Sequence, residues 1–197
     1  LQLPGEFNVA NAVLVLALLL KKGVPLTTAC DVMSQVSAPP GRMQRVAMDG
    51  PAVFVDYAHT PVALEVALRA LRAHCRGRLW VVFGCGGDRD VGKRPQMGKA
   101  AEYFADHVVI TNDNPRSEDA DAIIDDIVAG LAHPERVTII EDRAAAIAWT
   151  IERATDTDVI LVAGKGHEDY QETSGRRVPF SDCAVARKAL AVKGRVR

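Results

Sequence analysis

Two regimes of apolar patterning divide the chain. From Val9 to Leu20 the apolar run is almost unbroken, whereas beyond residue 41 short β-rich runs alternate with segments whose apolar residues recur at helical spacing. The first run predicts a buried helix over residues 8–20, stopped by Gly23 after Lys21-Lys22. It is too short to span a bilayer. It also lacks a basic region ahead of it and a small-residue cleavage site behind it, which argues against a signal peptide. A second helix is predicted over residues 25–36, with Thr27 or Thr28 near its cap, and Ala38-Pro39-Pro40-Gly41 then breaks the pattern. That break marks the expected domain boundary, with residues 1–40 on one side and 41–197 on the other.

In the second regime, strands are predicted over residues 53–55, 79–83, 107–111, 137–140 and 159–163. Between them Leu64, Ala67, Leu68, Leu71 and Cys75 follow a Thr60-Pro61 helix start, and Ile123, Ile124, Ile127, Val128 and Leu131 form a second stripe. Such stripes are core. A last strand over 177–180 and a helix from Asp182 would close the fold. The alternation predicts an α/β architecture: a Rossmann-like, open and mostly parallel sheet flanked by helices, preceded by a short helical segment.

Composition narrows the functional classes. At 197 residues, with 48% hydrophobic and 25% charged residues, the chain suits one full α/β domain and a fragment of a second. A net charge of -1 without a basic run favours neither nucleic acid nor a membrane surface, so a small molecule is the expected partner. Cys30, Cys75, Cys85 and Cys183 are far apart and form no C-x-x-C pair, which points to a reducing, cytoplasmic setting without zinc or disulfides. The first residue is Leu, and an upstream domain is expected.

In open α/β sheets ligands gather at the carboxyl ends of the strands. The loops there are the richest polar segments: Asp56-Tyr57-Ala58-His59-Thr60-Pro61, Gly84-Cys85-Gly86-Gly87-Asp88-Arg89-Asp90, Asp113-Asn114-Pro115-Arg116 and Gly164-Lys165-Gly166-His167-Glu168. Gly87-x-x-x-x-Gly92-Lys93 copies most of a phosphate loop, but Arg94 stands where Ser or Thr would hold magnesium, and Asp88 and Asp90 would repel phosphate. The dinucleotide fingerprint fails for want of its third glycine. What remains is a turn presenting Arg89, or a turn whose charges are simply solvated. Asp113-Asn114-Pro115-Arg116 reads as a helix start, with Asn114 as cap, Pro115 in the first turn and Arg116 able to grip a carboxylate bidentately. Gly164 and Gly166 let the backbone approach a ligand, and Glu168 complements the two arginines. Arg89, Arg116 and Glu168 together would suit a molecule carrying carboxylate and ammonium, although a Glu beside a glycine turn is often only solvent-facing. Asp56 and His59 could form an acid/base pair or a polar turn. No nucleophile elbow and no paired-His zinc spacing supports a hydrolase.

These four motifs, in this order and over most of the chain, resemble the Mur ligases, and within them the branch that adds diaminopimelate. Gly5-x-Phe7-Asn8-x-x-Asn11-Ala12 and Gly41-Arg42 are similar to the end of the family's central ATP-binding domain and the entry to its C-terminal domain. The resemblance implies an ATP-dependent carboxylate-amine ligase of peptidoglycan synthesis, acting with Mg2+ on a UDP-N-acetylmuramoyl dipeptide and meso-diaminopimelate, cytoplasmic and monomeric. It implies that Arg89, Asp113, Asn114, Arg116, Gly164 and Glu168 bind diaminopimelate, Arg116 at the distal carboxylate and Glu168 at the distal ammonium. It implies that Asn8, Asn11, Arg42, Asp56 and His59 lie near the nucleotide. The family's phosphate loop, magnesium-binding Glu and carbamylated lysine have no counterpart here and are expected upstream of Leu1, so the chain alone is expected to be inactive. A lysine-adding or other Mur-type ligase, and an isolated amino-acid-binding module without catalysis, remain alternatives.

Overall fold

The computed structural model describes residues 4–47 and 50–195. It begins with helices α1 (Glu6–Lys21) and α2 (Leu26–Ser34). Strands β1 (Gln44–Arg45) and β2 (Ala52–Asp56), helix α3 (Pro61–Arg72), β3 (Leu79–Phe83), α4 (Lys93–Phe104) and β4 (His107–Ile110) follow. Then come α5 (Ala120–Val128), β5 (Thr138–Ile139), α6 (Arg143–Arg153), β6 (Val159–Ala163), β7 (Tyr170–Thr173), β8 (Arg176–Pro179) and α7 (Asp182–Arg195). The main sheet has the order β1-β2-β6-β3-β4-β5, parallel throughout except for β1, which pairs antiparallel with β2.

Strand alternation sorts side chains onto two cores. Leu79, Val81 and Phe83 of β3 face α3, α4 and α5, through Leu64, Leu68, Met97 and Ile127. Trp80 and Val82 face the other way, onto Ala146, Ile147 and Ile151 of α6 and Ala186 of α7. The central strands β3 and β6 are buried at every position, which is why they read as continuous apolar runs. Local chemistry sets the helix starts: Thr60 caps α3 by accepting from the Ala63 N–H with Pro61 in the first turn, and Asp142 caps α6 by accepting from the Ala145 N–H at 2.7 Å.

Three expectations are corrected. Helix α1 forms but buries no residue, and Val13, Leu14 and Leu18 stay exposed. It is apolar on all sides, so packing along α2 can hide only one stripe of it. Neither Thr27 nor Thr28 caps α2: Pro25 occupies the cap position and both threonines lie inside the first turn. The strand expected over 177–180 does not join the main sheet. It pairs antiparallel with β7 as a separate hairpin, because Ser174 (φ 50°) and Gly175 (φ 73°) form a tight turn with both φ positive that returns the chain directly onto its neighbour. Among the described residues no helix is long and apolar enough to cross a membrane.

Carboxylates lock the amino ends of the strands. Asp158 accepts from the Arg78 N–H (2.7 Å), the Thr155 N–H (2.8 Å) and the Trp80 indole (3.3 Å). Burial alone would raise its pKa, but these donors outweigh it and hold the carboxyl below its ordinary value. At the opposite end, Arg143 and Asp182 form an ion pair with both side chains fully buried, at 2.8 Å and 2.9 Å.

Two stability predictions follow from these contacts. Asp182→Ala leaves a buried guanidinium without its partner and should cost about 3–5 kcal/mol in denaturant unfolding. Glu65→Ala, which breaks the exposed Arg69–Glu65 pair on α3, should cost about 0.5 kcal/mol or less; equal losses would refute the burial argument. Asp158 has a folded pKa below its unfolded one, so its contribution is fully present above about pH 4 and fades as pH falls through the folded value. Asp158→Asn should therefore be less stable than wild type by about 1–3 kcal/mol at neutral pH, and the gap should narrow in acid. A gap independent of pH would contradict this.

Candidate functional site

The carboxyl ends of β2, β3, β4 and β6 converge, and their loops build two adjoining clusters. In the first, the loop after β4 brings Asp113 and Asn114 inside, both buried. Asn114 is the hub. Its Nδ2 donates to Glu168 Oε2 at 2.8 Å, while its Oδ1 accepts from Lys165 Nζ at 2.8 Å and from the Glu172 N–H at 2.9 Å. Lys165 is fully buried and also lies 3.4 Å from Glu168 Oε2. Burial pushes its ammonium pKa down, against the opposing pull of Asp113.

The Asp113 carboxyl is pushed up by burial, with Arg143 at 4.0 Å pulling the other way. Gly164 (φ 114°) is required beside it: a Cβ there would stand 2.6 Å from Asp113 Oδ2. Arg116 is half-buried and donates through Nη1 to the Gly87 carbonyl at 2.7 Å, which ties the loops after β3 and β4 together.

The helix start expected at Asp113-Asn114-Pro115-Arg116 is corrected. Helix α5 begins only at Ala120, capped by Asp119. Arg116 has φ 55° and lies in an isolated bridge to Thr173, its N–H donating to the Glu172 carbonyl at 3.0 Å. Docking of the β7–β8 hairpin takes up the backbone that a helix would otherwise use. Any anion held by Arg116 is thus held by its side chain and not by a helix terminus. In the glycine loop after β3 several N–H groups are taken by the protein itself: Asn114 accepts from the Gly87 N–H, Glu118 from the Asp88 N–H and Asp90 from the Gly92 N–H. Arg89 stands exposed in that loop, with Nη1 on the Asp88 carbonyl at 2.8 Å, and is not drawn into the Asn114 hub. Cys85 is buried, and its thiol pKa is pushed up to about 12, so it is no nucleophile.

The second cluster surrounds a cavity of about 350 Å³ lined by Asn8, Asn11, Arg42 and Asp56, with Phe7 and Met43. Asn8 donates to the Pro4 carbonyl at 2.7 Å, and Asn11 is exposed on α1. Asp56 accepts from the Met43 N–H at 2.7 Å, and burial raises its pKa. His59 is not among the residues lining the cavity. Its ring lies 4.5 Å from the Tyr57 ring, with Nδ1 2.8 Å from the Tyr57 carbonyl, so it does not pair with Asp56. Tyr57 gathers Arg42 at 4.7 Å and His167 at 5.3 Å as well. The two clusters meet at Gly166 (φ 55°), where a Cβ would come within 2.7 Å of both the Gly41 carbonyl and the Tyr57 side chain.

Lys165, Arg143, Asp182 and Tyr57 were not singled out in the sequence as site residues. For Lys165 the signal was present, since a cation held between two glycines directly after an apolar strand is seldom placed for solubility. Arg143 and Asp182 carry no such local mark. Among the described residues no group of three or more His, Cys, Asp or Glu side chains is arranged to hold a metal.

Residues 41–166 match the family described as Mur ligase, glutamate ligase domain. The chain is 52% identical over 197 residues to UDP-N-acetylmuramoyl-L-alanyl-D-glutamate–2,6-diaminopimelate ligase of Janthinobacterium sp. (strain Marseille), covering 98% of this chain and 39% of that protein. It is 54% identical over 194 residues to the ligase of the same name from Ralstonia nicotianae, covering 96% of this chain and 38% of that protein. A solved structure of a ligase of that name superposes with a TM-score of 0.79 at 42% identity, over 98% of this chain and 40% of its own. The chain thus spans about two fifths of the length of these relatives. With the family matched over most of its length and its sheet superposing on that structure, the chain belongs to the Mur ligases, as their C-terminal domain.

Proposed function

We propose that this chain is the amine-binding part of a cytoplasmic, monomeric ATP-dependent ligase that adds meso-2,6-diaminopimelate to UDP-N-acetylmuramoyl-L-alanyl-D-glutamate in peptidoglycan synthesis. The observation that carries this reading is the pairing of the Asn114 amide with the Glu168 carboxylate across the ends of β4 and β6, with the half-buried Arg116 two residues along the same loop, its guanidinium tethered to Gly87. The names borne by the similar ligases point the same way. One N–H of Arg116 anchors the guanidinium to Gly87, leaving the rest of its fork for the distal carboxylate. Glu168 complements the distal ammonium, and Asp113 and Gly164 form the wall beside it. Arg89, exposed in the loop after β3 and outside the Asn114 hub, would meet the same ligand only from its solvent side.

In the reaction proposed, the D-glutamyl carboxylate of the UDP-linked substrate attacks the γ-phosphorus of ATP; the new O–P bond forms, the bond to the bridging oxygen breaks, and an acyl phosphate and ADP result. The other amino group of diaminopimelate, as the free base, attacks that carbonyl; the new C–N bond forms, the C–O bond to phosphate breaks, and phosphate and a proton are released. The part of this chain is to hold the amine in line. Asn8, Asn11, Arg42 and Asp56 border the nucleotide, with His59 nearby against Tyr57. Residues 1–40 close the ATP-binding domain, and residues 41–197 form the amine-binding one. Magnesium, held elsewhere in the whole protein, neutralises phosphate charge.

The test is kinetic, on the full-length protein. Arg116→Ala should weaken diaminopimelate use by about 2–5 kcal/mol in kcat/KM, because the distal carboxylate is desolvated without a partner. Lysine has no such carboxylate, so its use should be unchanged or slightly improved. If kcat/KM for both amines falls by one factor, Arg116 is a backbone-bridge residue and not a specificity determinant. In a second arm the 197-residue chain alone, given ATP, magnesium and both substrates, should form no ADP; turnover that survives repurification would overturn the division of labour.

A further inference from the structure

Lys165 lies in the Asn114 hub but does not itself contact the proposed ligand; it is fully buried, and burying an ammonium is costly unless it is paired. Its partners are specific. Nζ donates to Asn114 Oδ1 at 2.8 Å, lies 3.4 Å from Glu168 Oε2, and stands 5.5 Å from the centre of the Tyr170 ring. An asparagine amide can present either its oxygen or its NH2 to a ligand. Here two donors, Lys165 Nζ and the Glu172 N–H, converge on one atom of it. An ammonium and a backbone N–H can only donate, so that atom must be the oxygen, and Nδ2 must point the other way, toward Glu168.

Resting on the reading above, we propose that Lys165 is a positioning residue: by capturing Asn114 Oδ1 and Glu168 Oε2 it fixes the amide with its donor face toward the amino-acid ligand and leaves Glu168 Oε1 to accept the ligand's ammonium. With the lysine absent, Asn114 Oδ1 keeps only the Glu172 N–H, so the amide is held less firmly, and Glu168 loses the cation beside it. The flanking glycines fit this role. Gly164 and Gly166, both with positive φ, turn the chain so that the side chain between them enters the protein while the backbone passes close to Asp113 and Gly41.

Positioning and structural roles separate cleanly in Lys165→Met, which keeps length and shape. Burial depresses the lysine's folded pKa, so at neutral pH the charge is held at a cost, and removing it should leave the thermal midpoint unchanged or raised. In the full-length protein, with the amine that the wild type uses best, Lys165→Met should raise the amine KM by about ten- to a hundredfold. The KM values for ATP and the UDP-linked substrate should hold within about twofold. Asn114→Asp is the second variant: it keeps a partner for Lys165 but turns an acceptor toward Glu168, and should raise the amine KM at least as much. A wild-type amine KM in either variant overturns the proposal, as does a Lys165→Met protein that loses stability and affinity for all three substrates together. A wild type that prefers an amine other than diaminopimelate overturns the substrate reading alone, because the Lys165 test is then decided with that amine.

Discussion

The site hangs from one buried cation. The Arg143 guanidinium, 1% exposed, pairs with Asp182 of α7, donates to the Ala163 carbonyl at the end of β6, and reaches the Asn112 carbonyl and the Asp113 carboxylate after β4. Burial opposes its charge, but Asp182 outweighs that penalty and raises the pKa further. A flat group with five fixed donors can thus set two helices and two strand ends in one geometry, which a lysine at the same place could not. Because both ends of the pair are buried, the arrangement is costly to break even if it contributes little net stability over an apolar substitute. Its value is placement: Asp113 and Gly164, the residues next in chain, are set by it.

On this frame the loops are held tightly enough that side-chain polarity is prescribed. Asn114 presents NH2 because its oxygen is taken; Arg116 keeps a fixed root because Gly87 takes one donor and the β7–β8 hairpin takes its backbone. Asp113 and Lys165 are both held away from their ordinary pKa by burial, one up and one down. Such groups are a stability cost concentrated where ligand chemistry is proposed, while the carboxylates at the amino ends of the strands, Asp158 and Asp106, have lowered pKa values and support the fold. The two ends of the sheet thus use carboxylates in opposite ways.

Helix α1 shows how far a local pattern carries. Its apolar run favours a helix, since neither proline nor glycine interrupts it between Gly5 and Gly23, but burial is a property of neighbours, and α2 covers one side only. The hairpin teaches the same lesson. Residues 176–179 have strand chemistry, yet whether they pair with the main sheet or with Tyr170–Thr173 depends on a two-residue turn, and the nearer partner wins because the loop to be closed is shortest. Helices α4 and α6 were not read as elements at all. Helix α4 contains proline and glycine and buries Arg94, whose charge Glu118 and Asp126 answer from other segments, and α6 buries an arginine in the same way.

The sequence by itself determined the α/β class, the strands at the sheet centre, the helix start at Thr60-Pro61, and the four loops on which chemistry could lie, because each of these rests on short-range periodicity or turn propensity. The approach of the loops that carry Asn114 and Glu168 was foreseeable only as a consequence of strand polarity. Tertiary structure alone decided that Asp113-Asn114-Pro115-Arg116 is not a helix start, that His59 turns to Tyr57 and not to Asp56, that Arg89 stays outside the hub, and that Lys165 lies beneath it. Those outcomes depend on contacts between residues distant in sequence, such as Asn114 with Lys165 or Arg143 with Asp182, where desolvation and pairing are settled by which groups the fold brings together.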